Sequence, residues 1–66
     1  MWTVIYITPS LRLAENICKR LMAEGFLVKR RQISASKQQF EILVPEYELE
    51  DVRESLNDIV HASLSD

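Results

Sequence analysis

Apolar positions along the chain switch between a period of two and a period near 3.6, the spacings of strands and helices. Trp2-Thr3-Val4-Ile5-Tyr6-Ile7 is rich in β-branched and aromatic residues and predicts a first strand. Trp2, Val4 and Tyr6 fall on one of its faces, and Thr3, Ile5 and Ile7 on the other, so neither face is polar. From Leu11 the spacing changes. Leu11, Ala14, Ile17, Cys18, Leu21 and Met22 form the stripe of an amphipathic helix, with Arg12, Glu15, Asn16, Lys19 and Glu24 opposite. Phe26 to Ile33 predicts a second strand, apolar at its start and basic in its middle. Phe40-Glu41-Ile42-Leu43-Val44 predicts a third, with Phe40, Ile42 and Val44 inward and Glu41 and Leu43 on a wetter face. Leu49, Val52, Leu56, Ile59 and Val60 give the stripe of a second helix that begins around Glu46 to Glu48 and frays from Ala62 to Asp66.

The breaks between these blocks have local causes. Ser10 follows Thr8-Pro9 at the position of a helix N-cap, where its hydroxyl accepts from an orphaned N–H. Glu15 and Lys19 are ordered for an i,i+4 ion pair. Gly25, the sole glycine, stands where the first helix ends, a left-handed C′ position. Ser34 to Lys37 is a polar connection, too long for a two-residue hairpin turn. Pro45 ends the third strand. Glu46, Glu48, Glu50 and Asp51 crowd the second helix's first turns, where negative charge suits the dipole.

The order β-α-β-β-α belongs to the α+β class. A right-handed crossover makes the first two strands parallel. Insertion of the third between them, antiparallel, gives a three-stranded mixed sheet with both helices on one face, a ferredoxin-like arrangement truncated by one strand. The first strand then lies on an open edge. Its lack of a polar side predicts an interface at Trp2, Val4 and Tyr6, with Ile5 and Ile7 toward the helices and Trp2 and Tyr6 outward. A homodimer is the expected assembly, with a larger protein partner as the alternative.

Composition narrows the rest. Residues 1–66 make one domain, and so short a chain buries only about 60% of its unfolded surface. Cys18 is the only cysteine and His61 the only histidine, which removes an internal disulfide and leaves no zinc ligand set. No catalytic or cofactor-binding group can be assembled from these residues, so no enzyme is expected. Cys18 on the apolar stripe reads as a buried thiol, and His61 as a partner of the last helical carbonyls. Eight basic and ten acidic residues argue against a dedicated nucleic-acid binder. The opening lacks a basic stretch before an apolar one, and no apolar run nears the ~20 residues of a membrane span, so a cytoplasmic protein is expected. The remaining chemistry is basic: Lys29, Arg30, Arg31 and Lys37 could hold an anion or a nucleotide phosphate on the open face of the sheet. Glu41 could instead pair with them across the strands.

Met1 to Ile7, Pro9-Ser10, Glu24-Gly25-Phe26 and Phe40 to Glu46 together resemble a family of short bacterial proteins of unknown function described as signal-transducing, PII-like domains. The resemblance implies a PII-like fold and a regulatory role. Members of that family also carry a glutamate decarboxylase label, but such an enzyme needs an enclosed pyridoxal phosphate with its Schiff-base lysine. This chain also departs from the PII pattern: the final strand is missing and the Ser34–Lys37 connection is short.

Overall fold

The computed structural model describes residues 1–34 and 38–64. The chain runs β1 (Trp2–Thr8), α1 (Leu11–Ala23), β2 (Lys29–Ser34), β3 (Gln39–Pro45), a 3₁₀ turn (Glu46–Glu48) and α2 (Leu49–Leu64). The strand order is β1-β3-β2, and β3 is antiparallel to both neighbours. The expected mixed sheet is therefore antiparallel at each of its hydrogen-bonded pairs. β1 and β2 do run the same way, but β3 separates them.

Both helices cover the same face. Phe40, Ile42 and Val44 of β3 meet Ala14, Ile17, Cys18 and Leu21 of α1 and Val52, Leu56 and Ile59 of α2 in one buried cluster. Leu11 and Met22, expected on the stripe of α1, are exposed, and half-buried Leu13 packs against the cluster. The helix ends follow the sequence signals. Ser10 Oγ accepts from the Leu13 N–H at 3.1 Å. At the other end Gly25 takes φ +96°, while Phe26 N–H donates to Leu21 O and Gly25 N–H to Met22 O, the paired bonds of a Schellman motif. Helix α2 continues through Ala62 to Leu64, past the expected start of fraying.

The second strand starts three residues later than the apolar pattern suggests. Continuing its register with β3 would set Leu27 opposite Pro45, which has no N–H for a ladder. Leu27 N–H instead donates to Glu48 Oε2 at 3.2 Å, and the ladder begins at Lys29.

A bulge in β1 decides which side chains face the helices. Val4 pairs with Leu43 and Tyr6 with Ile42, so Ile5 has no partner across the ladder. Residues directly opposite share a face. Trp2 and Val4 thus lie on the open side with Leu43, whereas Tyr6 lies on the helix side with Ile42 and packs against the core. Ile7, opposite Glu41, returns to the open side and is 53% exposed. The expectation that Tyr6 faces outward and Ile7 inward is reversed, because one extra residue shifts the alternation.

Candidate functional site

Strand β1 has no neighbour on its outer side among the described residues. Glu46 N–H donates to Met1 O at 2.9 Å, which makes that rung a hydrogen-bonded one. Bonded and non-bonded rungs alternate in an antiparallel pair. Thr3 therefore turns its backbone groups to β3, and Trp2 and Val4 turn theirs to the open edge.

The helix-free face of the sheet is built in rows from three strands. Trp2 and Pro45 form the first; beyond them, outside the ladder, Leu27 is exposed while its neighbours Phe26 and Val28 pack against the core. Val4, Leu43 and Lys29 form the second, and Ile7, Glu41 and Arg31 the third. Lys29 Nζ sits 5.1 Å from the centroid of the Trp2 ring, a cation–π contact between the two outer strands. That contact bridges over β3 and accounts for Leu43, which is only 5% exposed although no helix covers it. The wet position expected for Leu43 is thus dry, sheltered by side chains of the neighbouring strands. In the third row Arg31 Nε donates to Glu41 Oε1 at 2.8 Å, and Nη2 donates to the same oxygen. This is the cross-strand pair that the register allows.

The basic residues do not gather at one place. Lys29 and Arg31 share the open face, but Arg30 is opposite Ile42 and reaches across the helix side to Glu15 of α1 at 3.5 Å. Glu15 thus meets Arg30, where the sequence suggested Lys19. Lys37 lies outside the described residues. Arg30 does line a cleft of about 500 Å³, together with Leu11, Gln32, Gln38 and Phe40. A second hollow of about 220 Å³ is lined by Tyr6 of β1 and by Arg53, Leu56, Asn57 and Val60 of α2.

Of the residues singled out for chemistry, Cys18 is buried in the core, and burial pushes its thiol pKa up, partly opposed by the Arg30 guanidinium. His61 is exposed in the last turns of α2. Among the described residues no three His, Cys, Asp or Glu side chains group as a metal site, and no helix is long and apolar enough to cross a membrane. Ile7, Leu27 and Leu43 belong to the open face but were not among the expected interface residues. The bulge concealed the first, and the helix-side alternation of Phe26 and Val28 was the available signal for the second. No family model, curated protein or solved structure matches this chain.

Proposed function

We propose that this chain is a non-enzymatic interaction module of truncated ferredoxin-like layout, which assembles as a homodimer by adding β1 antiparallel to β1 of a second copy. One observation carries the proposal: among the described residues β1 is an unpaired edge with no charged residue, flanked by exposed Trp2, Val4 and Ile7. Edge strands left open are ordinarily guarded by charge, proline or a covering element, and this one is not. Two copies related by a twofold axis would join their sheets into one of six strands and satisfy the outward N–H and C=O groups of both. The resemblance to signal-transducing, PII-like proteins supports a regulatory use of such a pair.

A Val4→Pro variant tests the proposal, because the Val4 N–H points away from β3 and its loss spares the internal ladder. Sedimentation at high micromolar concentration should give a dimer for the wild type and a folded monomer for the variant. A wild type that stays monomeric, or a Val4→Pro chain that pairs as before, refutes it.

The 500 Å³ cleft favours a second reading, a sensor of small anions that uses Arg30 with the amides of Gln32 and Gln38. A thermal-shift panel of inorganic phosphate and nucleotides should then give a shift that Arg30→Ala removes.

A further inference from the structure

Resting on the assembly proposed above, we infer that the hollow between Tyr6 and α2 seats a side chain of the strand that a second copy adds to β1. Helix α1 is tied toward β2 by the Arg30–Glu15 pair, and α2 lies beside β1, with Leu56 and Val60 next to Tyr6. Among the described residues no strand flanks β1 beneath the outer side of α2, and the hollow is found there. A strand hydrogen-bonded to β1 would lie about 4.8 Å further out, and every second side chain on it would point up under the helix. The space, about 220 Å³, suits one large side chain. Its lining fits an apolar body with a polar tip, because Leu56 and Val60 contribute hydrocarbon and Arg53 and Asn57 contribute polar groups at the rim.

Charge and shape both favour a second copy as the occupant. Trp2 to Thr8 carries no ionisable group except the phenol of Tyr6, so two such strands lie side by side without like charges meeting. The corresponding β2 edges would oppose Lys29, Arg30 and Arg31 to their own copies. On the helix side β1 presents Thr3, Ile5, Tyr6 and Thr8; Tyr6, which packs on its own core with one side toward the hollow, is the large amphipathic one nearest the twofold. A twofold axis between antiparallel β1 strands gives each copy the other's helix-side residues, so both hollows fill together.

Filling the hollow from within tests the inference while leaving the β1 backbone untouched. Asn57→Trp places a bulky ring in the space from the exposed side of α2. Asn16→Trp on the exposed side of α1 is the control for added surface hydrophobicity. Far-UV circular dichroism and melting establish that each variant folds. The dimer dissociation constant, from sedimentation over a concentration series, should rise at least tenfold for Asn57→Trp and stay near wild type for Asn16→Trp. If Asn57→Trp dimerises as tightly as wild type, or more tightly, while Val4→Pro is monomeric, the edge assembly stands and the seat beneath α2 is refuted. A monomeric wild type removes both.

Discussion

Replacing Tyr6 and Ile7 by alanine, one at a time, measures what the bulge at Ile5 does to the energetics of β1. In a regular strand Tyr6 would share the outer face with Trp2 and Val4, and its loss would cost little. In the structure Tyr6 packs on the core and Ile7 is 53% exposed. Ile7→Ala removes three carbons, worth about 2.4 kcal/mol at full burial, and at half burial about 1 kcal/mol. Truncating a fully buried aromatic costs about 3–5 kcal/mol, so half-buried Tyr6 should cost about 2 kcal/mol. A chain of this size has on the order of 3–10 kcal/mol in total, so the difference between the two variants is a sizeable fraction of it. Urea denaturation followed by far-UV circular dichroism gives both values from the midpoint shift at constant slope. Because both residues are near the proposed dimer edge, the titrations are run at several protein concentrations and compared at the lowest. A larger loss for Ile7→Ala than for Tyr6→Ala would mean that the strand is not bulged where the structure has it.

Arg31→Ala, Glu41→Gln and the double variant form a thermodynamic cycle. With the Arg31 side chain 63% exposed and that of Glu41 15% exposed, the coupling should be about 0.2–1 kcal/mol and shrink in 1 M salt; a coupling indifferent to salt contradicts the ion pair. Cys18 should resist alkylation in the native protein and react readily in urea. Its raised pKa means that the folded state keeps the proton longer than the unfolded one. That contribution to stability is complete below the ordinary thiol pKa of about 8.5 and is lost as pH rises through the higher folded value. Unfolding midpoints should therefore fall across the alkaline range in the wild type more than in Cys18→Ala, and parallel profiles would contradict the buried assignment.

The elements legible in the sequence were those with local signals. Ser10 and Gly25 bracket α1 by side-chain capping and by a left-handed φ, and both effects depend on a few neighbouring residues. The stripe of α2 and the alternation of β3 were equally plain, and together they place β3 in the middle, packed on both helices. What stayed hidden depends on partners distant in the chain. The Ile5 bulge is set by how β1 meets β3, and Trp2-Thr3-Val4-Ile5-Tyr6-Ile7 is apolar at almost every step, so a shift of one residue leaves no trace in its pattern. Leu43 is dry although no helix covers it, flanked by Val4 and Lys29 with Trp2 in contact with Lys29. The basic quartet looked like one patch because Lys29, Arg30 and Arg31 are adjacent in sequence, whereas alternation along β2 sends the middle one to the opposite side.

The two rims of the sheet differ in kind, and that difference limits growth. One rim is neutral and greasy; the other carries Lys29, Arg30 and Arg31, whose charges Glu15 and Glu41 offset only in part. In the proposed assembly along the neutral rims, only the cationic ones remain outermost. In the proposed dimer these flanks would disfavour a third copy, so growth would stop at two chains without a separate capping element.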